Sequence, residues 1–262
     1  SRAQISKIVW QIDKLDVPEH VITYGSHRLD ILPGVAVNAY GPDLFGWEDG
    51  RIVYASDQVQ TKVGIDVSQF QGEIDWEAVK NDGVDYAMIR IGGRGYGNGK
   101  LYEDTHFEQN IEGALAAGLE VGVYFFSQAI TVEEAEGEAA YLLERIAPYD
   151  LTYPVVFDWE VIGRSNARAD DLDTDTLGAC ANAFCEAVAA AGYEPMIYVS
   201  LNTGYLKYDL RQIDQYDLWL AEYDDAPTFY YNFQMWQYTS SGTVAGIDGE
   251  VDLNLSFVDY AA

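Results

Sequence analysis

The alternation of strand and helix patterns after residue 61 constrains the fold of this chain more than any other feature. Short apolar runs typical of buried strands alternate with segments typical of helices, and this unit occurs five times. The five strands are predicted at 63–67, 86–91, 120–126, 153–160 and 195–200. The five helices are predicted to begin near Asp75, Asp104, Thr131, Asp173 and Asn202. Such alternation indicates an α/β fold with a parallel sheet.

The last part of the chain departs from this alternation. Three further strands are predicted at 218–223, 233–238 and 251–254, with no convincing long helix between them. Eight strands over about 200 residues favour an irregular TIM-like barrel of five strand–helix units followed by three strands. The alternative is an open doubly wound sheet, but no dinucleotide-binding fingerprint follows the first strand.

Residues 1–61 lack the strand–helix alternation. Asp49-Gly50 predicts a type I′ turn in a hairpin that spans residues 44–54. We therefore expect residues 1–61 to be a small β-rich extension, or the remnant of a preceding domain, and residues 62–262 to form the barrel. Because the chain begins with Ser1 and has no signal-peptide segment, we also expect a processed or shortened form.

The charge of the chain limits its partners. It carries 43 Asp and Glu residues against 15 Lys and Arg residues, a formal net charge of −28. Such a field repels nucleic acid and anionic lipid, and no apolar run reaches the length of a membrane span, so neither partner is expected.

Cys180 and Cys185 should lie on different faces of a helix as free thiols. The three histidines form no metal-binding motif, so no metal or cofactor is expected.

Two carboxylates end the fourth predicted strand, Val155-Val156-Phe157-Asp158-Trp159-Glu160. Strand side chains alternate, so Asp158 and Glu160 should share one face while Trp159 takes the other. Burial and mutual repulsion disfavour ionisation of both acids together. A pair with one protonated and one ionised carboxyl group is what glycoside hydrolysis requires. The alternative is a solvated strand end, because acids are abundant in this chain.

A closed barrel would bring two more acids to this pair. Asp66 lies near the end of the first strand and Asp252 on the last, and these two strands become neighbours when the barrel closes. Aromatic residues also end several strands, where they suit stacking against sugar rings, although each could fill the core. The candidate substrate contacts are Arg90, Tyr124, Phe126, Gln128, Tyr198, Tyr223 and Trp236.

These motifs resemble those of one enzyme family. Residues 64–72, Gly-Ile-Asp-Val-Ser-Gln-Phe-Gln-Gly, with Ile74-Asp75-Trp76, are similar to the opening motif of family 25 glycoside hydrolases, the muramidase-type lysozymes. Asp158-Trp159-Glu160 resembles the family's Asp-x-Glu signature, and the three closing strands resemble those of the family. The resemblance covers about residues 62–258. One departure is Phe125, which follows Tyr124 where many members carry a histidine.

The resemblance implies cleavage of the β-1,4 bond between N-acetylmuramic acid and N-acetylglucosamine in peptidoglycan. It implies a secreted or wall-associated monomer without a cofactor. By motif position, Glu160 would be the general acid, and Asp158 would stabilise positive charge or orient the 2-acetamido group. Asp66 and Asp252 would tune this pair and bind substrate. Two alternatives stay open, a catalytically inactive cell-wall carbohydrate-binding module and a divalent-metal site built from the carboxylates.

Overall fold

The structure is a computed structural model that describes residues 21–262. Residues 1–20, with the first part of the predicted extension and the predicted processed end, lie outside the described residues. Four short strands come first: β1 (Val21–Tyr24), β2 (His27–Asp30), β3 (Phe45–Glu48) and β4 (Arg51–Tyr54). The next five strands are β5 (Lys62–Val67), β6 (Tyr86–Arg94), β7 (Leu101–Glu103), β8 (Glu120–Ser127) and β9 (Val155–Trp159). The last four are β10 (Pro195–Ser200), β11 (Asp217–Ala221), β12 (Met235–Gly242) and β13 (Val251–Ser256).

Eight of these strands close into a barrel. The order around it is β5-β6-β8-β9-β10-β11-β12-β13, and β13 pairs back with β5. All neighbouring pairs are parallel except the two that involve β13, which runs antiparallel to both β12 and β5. This closure confirms the predicted irregular α/β barrel and shows that the alternative of an open sheet is wrong.

Five α-helices follow the first five barrel strands. They are α1 (Trp76–Asn81), α2 (Phe107–Ala116), α3 (Val132–Ile146), α4 (Thr174–Ala190) and α5 (Leu201–Leu206). Asp75, Thr131 and Asp173 cap their helices through side-chain oxygens, as predicted. The second helix starts later than predicted, at Phe107, and the Asp104 carboxylate binds the Arg90 guanidinium. Between β11 and β13, the described chain has no α-helix.

The barrel strands are buried on both faces. Their outer faces pack against the helices, while their inner faces form a second, smaller core. Below the mouth, the ring of Tyr86 stacks on Tyr153 at 4.3 Å between centroids. Gly64 makes room for this ring, because a Cβ atom there would lie 2.1 Å from Tyr86 Cζ. Strands enclosed in this way require near-continuous apolar runs, which is the pattern that the sequence shows.

The described part of the N-terminal extension consists of two hairpins that pack on the barrel. Strands β3 and β4 pair in the predicted hairpin, and Asp49 and Gly50 both have positive φ, as a type I′ turn requires. Ile52 is fully buried in the same core as the outer barrel face, and Tyr40 stacks on Phe257 at 3.9 Å between centroids. The described part of the extension is therefore β-rich, as predicted, and shares its core with the barrel.

Residues 92–99 differ from their predicted structure. The sequence predicts a flexible glycine-rich loop there, but Gly92 and Gly93 continue β6 and pair with β7. A Cβ atom on Gly92 would lie 2.1 Å from the Tyr102 carbonyl oxygen, so glycine permits this close strand contact.

None of the helices within residues 21–262 is long and apolar enough to cross a membrane. Cys180 and Cys185 are buried free thiols, as predicted.

Candidate active site

A cleft with a volume of about 260 Å³ opens where the parallel barrel strands end. All four predicted acids line it, together with five of the seven predicted substrate contacts. The lining residues are Asp66, Ser68, Phe70, Gln71, Arg90, Tyr124, Phe126, Asp158, Glu160, Tyr198, Trp219, Tyr223, Gln237 and Asp252. Residues 21–61 contribute nothing to this lining. The four acids, which come from three strands, therefore meet in one cleft with aromatic walls.

Strand geometry places each of the four carboxyl groups. Asp158 and Glu160 face the cleft at the end of β9, while Trp159 points into the outer core, so the predicted alternation is confirmed. Asp66 and Asp252 are directly opposite each other in the β5–β13 pair. Asp252 lies near the start of its strand, yet it reaches the same mouth because β13 runs antiparallel to its neighbours.

The four carboxyl groups influence one another's ionisation. Burial is the main cause that raises the pKa of each of them, and for Asp252 it raises the pKa to about 6. Negative charge adds to this effect: Glu160 and then Asp66 raise the pKa of Asp158, while Asp252 raises those of Glu160 and Asp66. Groups coupled in this way titrate as one cluster rather than as four independent acids.

Two predicted substrate contacts lie outside the cleft lining. Gln128 is fully buried, and its Nε2 donates to the backbone carbonyl of Glu160 at 3.1 Å, so it supports the acid rather than the cleft wall. Trp236 is fully buried in the outer core, where its indole N–H donates to the Glu222 carbonyl at 2.8 Å. The alternation along β12 turns Gln237 toward the cleft and Trp236 away from it.

Five lining residues were not predicted from the sequence. Ser68, Phe70 and Gln71 follow β5, and Phe70 is 76% exposed with the Arg90 guanidinium 5.0 Å from its ring centroid. The Trp219 ring meets Tyr198 edge to face at 5.2 Å between centroids. Gln237 donates a hydrogen bond to Asp66. All five lie within the segments that resemble the family's opening and closing motifs, so position in these motifs is the signal that could have identified them.

The metal-site alternative requires a group of ligands among the acids, cysteines and histidines. Within residues 21–262, no group of three or more His, Cys, Asp and Glu side chains is arranged to hold a metal ion. The metal-site alternative therefore has no set of ligands in the part of the chain that the structure describes.

The fold and the cleft define a barrel protein with a carboxylate-based site at the C-terminal ends of its strands. A family model described as "Glycosyl hydrolases family 25" matches residues 65–247. The chain belongs to this family, which confirms the resemblance drawn from its motifs.

The chain is similar to several named proteins. The autolytic lysozyme of Clostridium acetobutylicum is 28% identical over 194 residues, which cover 73% of this chain and 54% of that protein. Lysozyme M1 of Streptomyces globisporus is 28% identical over 240 residues, covering 86% of this chain and 79% of that one. The structure of the modular autolysin LytC from Streptococcus pneumoniae, in complex with a synthetic peptidoglycan ligand, matches with a TM-score of 0.68 and 26% identity. That match covers 90% of this chain and 56% of LytC. This chain thus spans about half the length of two of these relatives.

Proposed function

We propose that this protein is a peptidoglycan hydrolase, a muramidase that cleaves the β-1,4 bond between N-acetylmuramic acid and N-acetylglucosamine. The observation that carries the proposal is the meeting of Asp66, Asp158, Glu160 and Asp252 in one aromatic-lined cleft. Family membership and the names of the relatives agree with it. Because all four acids are in place, a catalytically inactive wall-binding module is not favoured.

Glu160 is proposed as the general acid. A proton donor must keep its proton at working pH, and burial followed by the charge of Asp252 raises the pKa of Glu160. Its position is supported by the hydrogen bond from Gln128 to its backbone carbonyl. In this role, Glu160 protonates the glycosidic oxygen as the bond to the reacting sugar breaks.

Asp158 is proposed to act on the reacting sugar itself. Its Oδ1 atom is buried at the cleft and has no hydrogen-bond partner among residues 21–262. Such an atom gains a partner when a substrate N–H group reaches it, and an unpaired buried acceptor otherwise costs free energy. The 2-acetamido group of an N-acetylated sugar supplies an N–H donor, and an ionised Asp158 also stabilises the positive charge that develops during cleavage.

The cleft walls are proposed to bind the glycan. Tyr124, Phe126, Tyr198, Trp219 and Tyr223 present rings along the lining, and aromatic faces offer apolar contact to sugar rings. We propose that residues 62–262 form the catalytic unit, that residues 21–61 stabilise it without joining the cleft, and that the enzyme acts as a monomer outside the cell or at the wall.

The test is digestion of purified peptidoglycan followed by identification of the new reducing ends. A muramidase releases muramic acid reducing ends. New glucosamine reducing ends, free peptide, or binding to the wall without cleavage would each contradict the proposal. Because this chain covers only part of two relatives, the digestion uses the chain of 262 residues itself.

A further inference from the structure

Two amide side chains distinguish Asp66 from the other acids of the cluster. Gln237 Nε2 and Asn254 Nδ2 each lie 2.8 Å from Asp66 Oδ2, and both donate to it. Both amides are buried, and Asn254 is fully so. Within residues 21–262, no side chain donates a hydrogen bond to the carboxylates of Asp158, Glu160 or Asp252. The protein therefore directs its hydrogen-bond donors at one member of the cluster.

The orientation of Asn254 is fixed by a group that can only donate. Its Oδ1 accepts from the indole N–H of Trp219 at 2.8 Å, and an indole nitrogen has no acceptor capacity. The amide must therefore turn its oxygen toward Trp219 and its N–H toward Asp66. Gln237 is oriented in the same sense, because its Oε1 accepts from the hydroxyls of Tyr198 at 3.1 Å and Tyr223 at 2.9 Å.

We infer that Asn254 and Gln237 are positioning residues that hold Asp66 in its ionised form, so that the proton kept by the cluster resides on the Asp158–Glu160 pair. An oxygen that accepts two N–H bonds is far better suited to a carboxylate than to a protonated carboxyl group. Trp219, Tyr198 and Tyr223 act one step further away, because they orient the two amides. This inference deepens the proposed function, since it explains which acid can serve as the proton donor.

The charged groups around Asp66 agree with this division. Asp252 faces it from β13, and Asp158 and Glu160 lie at the end of β9. Arg90 of β6, which is paired with Asp104, acts instead on Asp158 and lowers its pKa. The hydroxyl-bearing rings of Tyr124 and Tyr198 face it from β8 and β10. Burial raises the pKa of Asp66 as it does those of the other acids, but the Asn254 and Gln237 amides act in the opposite direction on Asp66 alone. A charge retained on Asp66 in turn raises the pKa of Asp158.

The test is a carboxyl-carbon NMR titration of the free protein labelled with ¹³C in its Asp and Glu carboxyl groups. Signals are assigned with Asp66→Asn, Asp158→Asn and Glu160→Gln. We expect Asp66 to ionise at lower pH than the one at which the last proton leaves the Asp158–Glu160 pair. An Asp66 signal that still titrates after both members of the pair are ionised would overturn the inference.

Two variants test whether the amides cause this order. Asn254→Leu removes one donor, and we expect the ionisation of Asp66 to move up by about one pH unit. Trp219→Phe keeps a ring but loses the indole N–H that orients Asn254, and it should move the same signal in the same direction. If Asn254→Leu does not fold, the titration of Trp219→Phe is the test. If Asp66 ionises at the wild-type pH in a folded variant, the inference is contradicted.

Matched controls carry the same substitutions outside the barrel. Asn110→Leu replaces a fully buried asparagine of α2, and Trp76→Phe replaces a buried tryptophan of α1. Neither should move the Asp66 signal, so a general loss of stability is separated from a loss of orientation. Because the titration needs no substrate, a wild-type protein that fails to cleave peptidoglycan would contradict the proposed function and leave the order of ionisation as a separate result.

Discussion

At the scale of single residues, Glu160 is the side chain on which the proposed chemistry depends most. It lies at the end of β9 in the cleft, burial and Asp252 raise its pKa, and Gln128 holds its backbone carbonyl. These features keep a proton on a fixed group at the place where a glycosidic oxygen would bind.

We predict that Glu160→Gln lowers kcat by about 10²–10⁴-fold without unfolding the chain, because the amide keeps the shape but cannot donate the proton. The measurement is turnover of a soluble muropeptide oligomer together with thermal unfolding. Glu136→Gln, an exposed position on α3, is the control and should leave turnover unchanged. Near wild-type turnover in Glu160→Gln would contradict the assignment.

Sequence reasoning identified some site residues and missed others for physical reasons. Alternation along one strand suffices to place Asp158 and Glu160 on the same face. It does not suffice for Trp236, because residues 235–238 of β12 are buried on both faces and their pattern does not show which side is the cleft. The hydrogen bonds of Gln237 and Asn254 depend on partners far apart in the chain, which no local pattern can reveal.

At the scale of elements, Gly64 of β5 packs so closely against the barrel interior that a larger side chain there should destabilise the fold. Gly64→Ala would place a Cβ atom 2.1 Å from the buried Tyr86 ring, so we expect a loss of about 1–3 kcal/mol or more in the free energy of unfolding. Gly137→Ala in α3 is the matched control, because a Cβ atom there meets nothing within 4 Å. It should stabilise the helix by up to about 1 kcal/mol. Denaturant unfolding measures both changes, and equal effects at the two sites would contradict this packing.

The N-terminal hairpins should affect stability and not chemistry. Ile52→Ala opens a cavity in a fully buried part of the shared core, and we predict a cost of about 2–5 kcal/mol in the free energy of unfolding. Turnover per folded molecule should stay unchanged, because residues 21–61 do not line the cleft. Val53→Ala, a half-buried neighbour, should cost less. A strong loss of turnover in folded Ile52→Ala would show that the extension shapes the site.

The elements themselves were predictable to different degrees. Asp49-Gly50 specifies its hairpin through local turn chemistry, and the five strand–helix units follow from hydrophobic pattern and caps. Strand β7 was missed because its three residues are all exposed and carry no periodic signal. Its pairing with Gly92 and Gly93 is a tertiary contact. The glycine-rich sequence permits this pairing but does not predict it.

At the scale of the whole molecule, the net charge of −28 should affect substrate binding. Negatively charged wall fragments are repelled by this field, and salt screens the repulsion over a Debye length of about 10 Å at 0.1 M. We predict that KM for a charged muropeptide oligomer falls as salt is added, while kcat changes little. A fragment without net charge serves as the control, and its KM should be insensitive to salt. A KM for the charged oligomer that rises with salt would contradict the prediction.

The chemistry also belongs to the molecule as a whole, because the four carboxyl groups come from three strands and titrate together. Raised pKa values mean that the proton of the Asp158–Glu160 pair persists to higher pH than on an isolated acid and is lost as the pH rises further. At low pH, the carboxylates that must stay ionised become protonated, so activity should fall on that side as well.

The most direct test of this chemistry is the pH–rate profile of the wild-type protein on a soluble muropeptide oligomer at fixed ionic strength. We predict a bell-shaped profile with its optimum at mildly acidic pH, where the cluster holds one catalytic proton and Asp66 stays ionised. A rate that keeps rising through about pH 9 would contradict a carboxyl group as the proton donor.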